Sequence, residues 1–223
     1  MNKNGMRTLH EYYKLLEKDK FRLEEFTNML TINVSEFFRN SEKFLELENK
    51  YLPELLSKKQ NLKIWSAGCS IGAEIYSVAM LLNKLKVLEK CELIASDFDQ
   101  NILNKAQAGI YSKQELGTIP EEYKKYFVEM SDKVEKYKID PKISKSVRFE
   151  RRDLLNSTFE KGFDLILCRN VVIYFTDEAK DKLYKNFYGS LVPGGILFIG
   201  STERINNYRE LGYTIKTSFF YQK

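Results

Sequence analysis

From Phe21 to about Gln60 the apolar positions recur at helical spacing. FRLEEFTNML carries Phe21, Phe26, Met29 and Leu30, and NSEKFLELENKYLPELLSKK carries Phe44, Leu45, Leu47, Tyr51, Leu52, Leu55 and Leu56. The second segment opens on Asn40 or Ser41, and either suits a helix N-cap. Beyond Gln60 short apolar runs alternate with helical patterns. LKIWSA predicts a strand, AGCSIG a tight turn, and EIYSVAMLLNKLKVLE an amphipathic helix with Ile75, Val78, Ala79, Leu82 and Leu85 on one side. ELIASD, VRFERRD, FDLILCRN and GILFIG predict further strands. QNILNKAQAGIY and TDEAKDKLYKNFYGSL predict helices, the latter capped by Thr176 with Ala179 at its third position. Gly194 and Gly195 predict a turn, and YTIKTSFFYQK paired strands. Strands alternating with helices imply an α/β fold with a mostly parallel sheet covered on both faces.

Ligands of such sheets bind outside the carboxyl ends of the strands, so the residues following each strand are the candidate site. The first strand runs into Gly68 and Gly72, whose turn lets backbone N–H groups and a helix start approach a ligand. The second ends at Asp97, where an acid can accept both hydroxyls of a ribose. Asp99 is better suited to capping the helix that follows. Asp153 follows the third strand, at adenine reach, and the polar pair Arg169–Asn170 interrupts apolar sequence after the fourth. A glycine turn plus an acid at the next strand end describes a nucleoside site without separating dinucleotides from S-adenosylmethionine. GCSIG lacks the GxGxxG spacing that brings a helix against a pyrophosphate, which argues against a dinucleotide.

Composition narrows the chemistry. With 43% hydrophobic and 30% charged residues over 223 positions the chain has a globular balance. No apolar run approaches the roughly 18 residues of a membrane span, and no secretory leader is visible, so a cytoplasmic protein without membrane insertion is expected. There is one histidine, His10, which leaves no route to a Ser-His-Asp triad or a multi-histidine metal site unless it folds back. Cys69, Cys91 and Cys168 form no CxxC pair and read as buried thiols, so no metal is expected. The net charge of +5 is local: residues 124–152 hold ten Lys/Arg against five acids, and the rest of the chain is balanced at 26 against 26. Such a stretch suits an acidic partner or simply a solvated face. No nucleic-acid-binding module accompanies it, and no nucleic-acid partner is expected.

The chain also resembles the CheR-type chemotaxis receptor methyltransferases. TINVSEFFRN (31–40), IWSAGCSIGAEIYS (64–77), ASDFDQNIL followed by Ala106 and GIY (95–111), VRFERRDLL (147–155), FDLILCRNVVIYF (163–175) and LVPGGILFIGSTE (191–203) carry the resemblance. CRNVVIYF together with NVSEFFR is specific to that family, whereas the glycine turn is shared by many methyltransferases. Three departures stand out: Ala73 and Ile75 where the family pattern has an acid and a proline, and Ser35 where a threonine is usual.

The resemblance implies a Rossmann-like S-adenosylmethionine-dependent fold. It implies a shortened helical segment over 1–58, a methyltransferase domain over 59–223, and a small β insertion corresponding to the basic stretch around 124–146. It assigns cofactor contacts to Asn33, Ser35, Arg39, Gly68, Glu74, Asp97, Asp153, Leu154, Arg169 and Asn170, and puts Arg39 and Tyr174 near the methyl-transfer centre. Ser35 alternatively reads as a helix N-cap, and Phe175 as a core aromatic. The implied reaction is methyl transfer to glutamate side chains in the cytoplasmic region of methyl-accepting chemotaxis receptors, with S-adenosylhomocysteine as product. Two alternatives stay open: a methyltransferase acting on another protein or a small molecule, and a non-catalytic S-adenosylmethionine-binding signalling module.

Overall fold

The computed structural model describes residues 9–19, 22, 35–117, 119–131 and 135–223. The chain divides into two compact units, Met1–Val34 and Ser35–Lys223. In the first, helix α1 (Leu9–Lys18) is described. Asn33 lies outside the described residues.

The second unit is built on a seven-stranded sheet in the order β6-β2-β1-β7-β8-β10-β9. Its strands are β1 (Lys63–Ala67), β2 (Glu92–Asp97), β6 (Val147–Arg151), β7 (Phe163–Cys168), β8 (Leu191–Ile199), β9 (Thr214–Thr217) and β10 (Phe220–Gln222). The first five in sheet order pair in parallel, and β10 pairs antiparallel with β8 and β9. The C-terminal segment is thus the hairpin its sequence predicts. Chain order reverses direction between β1 and β7, and the carboxyl ends of these two strands flank the crevice where such a sheet takes a ligand.

Both sheet faces are buried, which explains the nearly unbroken apolar runs. Ile64, Leu165, Ile196 and Phe198 face one core, and Trp65, Ala67, Ile166, Leu197 and Ile199 the other. Helix α4 (Ala73–Lys84) packs in the first core. It is not the one-sided amphipathic helix its sequence suggests: Ala73, Ile75 to Ser77 and Val78 to Leu82 are all buried, on every face. A second helical element packs in the same core. This is the run from α2 (Ser41–Glu46) through a π turn (Leu47–Tyr51) into α3 (Leu52–Leu56). Pro53 lacks the N–H a regular helix would use there, and the wider turn sits just before it.

Two local expectations change. Asn40 stands at the N-cap position of α2 but takes a left-handed conformation and makes no side-chain cap bond; its side chain is used elsewhere, as described below. Gly194 and Gly195 do not end an element. Strand β8 starts at Leu191 and runs through them as a bulge, its register on β7 moving from Phe163↔Leu191 to Leu165↔Ile196. Gly195 fits because a Cβ there would lie 2.9 Å from Val192 O and 3.0 Å from Phe163 O.

Helix α5 (Gln100–Ala108) leads from β2 to a three-stranded antiparallel sheet in the order β3-β5-β4: β3 (Ile110–Ser112), β4 (Phe127–Glu129) and β5 (Lys136–Ile139). Short helices α6 (Lys113–Leu116), α7 (Glu121–Lys124) and α8 (Pro141–Ser144) connect it, and α9 (Asp177–Ser190) returns the chain to β8. β3 precedes the basic stretch and is too short for its alternation to signal a strand.

Candidate active site

The turn after β1 sets the floor. Gly68 has φ +78°, and the N–H groups of Gly68 and Cys69 both donate to Ser96 O of β2, at 2.8 and 2.9 Å. A Cβ on Gly68 would sit 2.5 Å from Val171 Cγ2, in the loop after β7. Ser70 is left-handed too, and its N–H donates to Asp97 Oδ2 at 2.8 Å. Asp97 Oδ1 accepts the Asp99 N–H at 3.1 Å. One bond per oxygen orients this carboxylate and leaves it further acceptor capacity. Asp99 does cap α5, accepting from Asn101 N and Ile102 N.

At the end of β7 Arg169 is buried and turns its guanidinium inward. Nη2 donates to Arg39 O at 2.9 Å and Asn40 Oδ1 at 2.7 Å, and Nη1 lies 3.6 Å from Glu74 Oε2. The guanidinium also lies over the Phe198 ring, 4.5 Å from its centroid. Glu74, in the first turn of α4, accepts from Ser66 Oγ at 2.7 Å. Burial pushes the Glu74 carboxyl above its ordinary value, which Arg169 and Ser66 offset only in part, and burial lowers Arg169 against the pull of Glu74.

Ser35 and Arg39 precede α2. No helix starts at Ser35, so its N-cap reading is set aside: a turn occupies 37–38 and α2 begins at Ser41. The segment is pinned on both sides. Phe38 N–H donates to Ser77 Oγ of α4 at 3.0 Å, and the Phe38 ring stacks on Tyr123 at 4.4 Å. Phe37 meets Tyr111 and Phe127 of the small sheet edge-on, at 4.9 and 5.0 Å.

Asn170 is left-handed, with φ +59°. The next two residues donate their N–H groups to Glu203 Oε1, Val171 at 3.0 Å and Val172 at 3.2 Å, while Gly200 N–H donates to Oε2 at 2.6 Å. After β6, Asp153 accepts from Asn156 Nδ2 at 2.8 Å and Leu155 N–H at 2.9 Å, which hold its carboxyl below the usual range. Leu154 is buried beside it.

With this geometry in view, the comparisons with known proteins are decisive. The sequence model of the family described as CheR methyltransferase, SAM binding domain, matches residues 33–220. The chain belongs to the CheR methyltransferase family. It is 44% identical over 218 residues to the chemotaxis protein methyltransferase of Listeria monocytogenes, covering 97% of this chain and 82% of that one. It is 34% identical over 229 residues to the chemotaxis protein methyltransferase of Borreliella burgdorferi, covering 96% and 80%. The corresponding figures for the chemotaxis protein methyltransferase 1 of Pseudomonas aeruginosa are 32% over 219 residues, 93% and 79%. The chain is therefore an S-adenosylmethionine-dependent methyltransferase with the Rossmann-like sheet its sequence predicts.

Gly68, Glu74, Asp97, Asp153, Leu154, Arg169 and Asn170 of this CheR-family chain all lie at the carboxyl edge of β1, β2, β6 and β7 or at the start of α4. Arg39 is joined to that edge through its carbonyl. Tyr174 falls in the 3-10 turn Val172–Tyr174, and its side chain lies outside what is described. Phe175 is half-buried against the second core, in keeping with an aromatic packing role. The two departures at the start of α4 also make packing sense, because Ala73 and Ile75 are fully buried.

The edge suits S-adenosylmethionine chemically. Three buried polar atoms, Ser70 Oγ, Arg169 Nε and Asn170 Oδ1, have no protein partner, and the Asp97 carboxylate has lone pairs to spare. These donors and acceptors match a ligand with ribose hydroxyls, an ammonium and a carboxylate. Four of the seven left-handed non-glycine residues among those described, Phe38, Asn40, Ser70 and Asn170, lie at this edge, where backbone strain commonly marks function. Ser66, Ser70, Ser77 and Glu203 were not singled out from sequence. An acid shortly after the last parallel strand was the available signal for Glu203.

Proposed function

We propose that this chain methylates glutamate side chains in the cytoplasmic region of chemotaxis receptors, working in the cytoplasm. The observation that supports the site assignment most is the convergence of Asp97, Asn170, Ser70 and the Arg39 segment on one sheet edge. When bound, S-adenosylmethionine supplies a methyl group already activated on a sulfonium. Asp97 accepts hydrogen bonds from ribose hydroxyls, and Ser70 Oγ and Asn170 Oδ1 supply the polar contacts they lack within the protein. Arg169 holds Arg39 and Asn40 against the end of β7 while Glu74 balances its charge.

The acceptor is a carboxylate, ionised at neutral pH, so no protein group has to remove a proton first. A lone histidine is no handicap to such chemistry. Arg39 orients the acceptor carboxylate with its fork of donors, and Tyr174 is assigned to the transfer centre by the family resemblance alone. Most of the catalytic effect then comes from in-line placement, which contributes on the order of 7 to 11 kcal/mol in the best cases.

Transfer of radiolabelled methyl groups to chemoreceptor-containing membranes tests this reading. Mild base releases a carboxyl methyl ester as methanol, so the label is expected to be base-labile and to be lost when the acceptor glutamates are replaced by alanine. Base-stable label would refute glutamate as the acceptor. Arg39→Ala is expected to reduce turnover more than S-adenosylhomocysteine affinity; equal losses would make Arg39 a cofactor contact only.

A further inference from the structure

Glu203 is a buried carboxylate, 6% exposed, in the loop after β8. It is not among the residues the family resemblance assigns to the cofactor, and its hydrogen bonds all go to backbone. Oε1 takes the N–H groups of Val171 and Val172, and Oε2 takes that of Gly200. The Asn170 N–H also favours its charged form, against burial, which pushes the carboxyl up. One side chain thus ties the end of β8 to three consecutive residues of the loop after β7.

The packing around it leaves little slack. A Cβ on Gly200 would lie 2.6 Å from Glu203 Oε2 and 2.8 Å from Asn170 N. Val171, held by Glu203, sits against the Cβ-less face of Gly68, so the same carboxylate sets the spacing between the turns after β1 and β7. Asn170, the residue so clasped, is left-handed and carries an unpartnered buried Oδ1. A backbone strained this way persists only where its surroundings enforce it.

We propose that Glu203 is a positioning residue for cofactor binding, its carboxylate holding the Asn170–Val172 loop in the one conformation that presents Asn170 to the cofactor. The inference rests on the reading of the β1–β7 edge as the S-adenosylmethionine site. A glutamine at 203 keeps the shape but replaces one acceptor oxygen with an NH2 that faces N–H donors. An aspartate keeps both acceptor oxygens on a shorter arm.

The test is calorimetric titration of S-adenosylhomocysteine into the full chain, with the unfolding temperature of each ligand-free variant measured alongside. Asp164 supplies the control. It is a buried carboxylate at the opposite end of β7 that accepts the Lys63 N–H at 2.7 Å and pairs with Lys59 at 2.8 Å. Glu203→Gln is expected to weaken binding by about tenfold or more, the scale of a lost set of charged hydrogen bonds. Glu203→Asp should recover part of that loss. Asp164→Asn should lower the unfolding temperature and leave affinity within about twofold of the wild type. If Glu203→Gln does not fold, Gly200→Ala, which drives a methyl into Oε2, is expected to show the same affinity loss.

Wild-type affinity in Glu203→Gln or Gly200→Ala would overturn the proposal. So would an equal affinity loss in Asp164→Asn, which would reduce Glu203 to general stability. A wild-type chain that does not bind S-adenosylhomocysteine would instead overturn the site assignment, and the inference with it.

Discussion

Asp97 and Asp99 show how far a single position can be read. Asp97 ends β2 and Asp99 follows it by two residues, and their roles separate by where the helix starts: Asp99 caps α5 while Asp97 faces the turn after β1. Strand-end position alone was enough to distinguish them. Arg169 was legible as a polar intrusion after β7, but its partners were not, because Arg39 and Asn40 lie about 130 positions away in the chain. Gly68 tolerates a side chain poorly. A side chain there must accept φ +78° and a contact of 2.5 Å with Val171 Cγ2. Gly68→Ala is expected to cost about 2 kcal/mol from left-handed strain and overpacking together. In a chain of this size that lowers the unfolding temperature by roughly 4 to 8 °C. Adding Val171→Ala should return part of the loss; a double variant no more stable than Gly68→Ala would place all of the cost in the backbone.

Elements were legible where one periodicity governed them and obscured where two surroundings compete. Helix α4 reads as one-sided from its apolar spacing, yet Tyr76, Ser77 and Met80 are buried as well: Tyr76 O–H donates to Ala106 O, and Ser77 Oγ accepts the Phe38 N–H. The bulge in β8 was hidden because Pro193-Gly194-Gly195 is also a turn signature, and what keeps it in the sheet is C-terminal: Gly194 N–H donates to Lys223 O, and Lys223 N–H to Gly195 O. The same C-terminal hairpin anchors the α2–α3 run. Glu46 accepts from Thr217, and Glu54 from Lys216 and Gln222.

Burial pushes both of these carboxyls up, but their hydrogen bonds and cations outweigh it and hold them below the ordinary glutamate value. A lowered folded pKa means that their contribution is complete above the unfolded value of about 4.3 and is lost as the pH falls through the folded value. The buried Glu74 and Glu203, whose values are raised, work in the opposite sense, favouring the fold at low pH and less so as pH rises through their folded values. Comparing variants isolates the first effect. Between pH 6 and pH 3.5 the unfolding temperature of Glu46→Gln/Glu54→Gln should fall less than that of the wild type. A parallel fall would show that these contacts carry no linked stability.

At the scale of the whole molecule, charge count says less than topology. Part of the basic stretch that suggested an acidic partner is answered within the same chain. Lys142 pairs with Glu89, Arg148 with Glu92, Glu150 and Glu160, Arg152 with Glu150 and Glu160, and the Lys138 ammonium donates to Ala108 O. Sequence counting cannot see this, since most of the answering carboxylates lie outside the stretch or come together only in the fold. Strand order, by contrast, agrees with the alternation of strands and helices, and the candidate residues share the carboxyl edge at the β1–β7 switch point.

Among the described residues no helix is long and apolar enough to cross a membrane. The central claim is that the β1–β7 edge grips S-adenosylmethionine with Asp97 as its anchor. Calorimetric titration of S-adenosylhomocysteine into the wild type and Asp97→Ala tests it most directly. Saturable one-to-one binding by the wild type is predicted, weakened roughly tenfold or more in Asp97→Ala as charged hydrogen bonds are lost. Unchanged affinity in the folded variant would contradict the account.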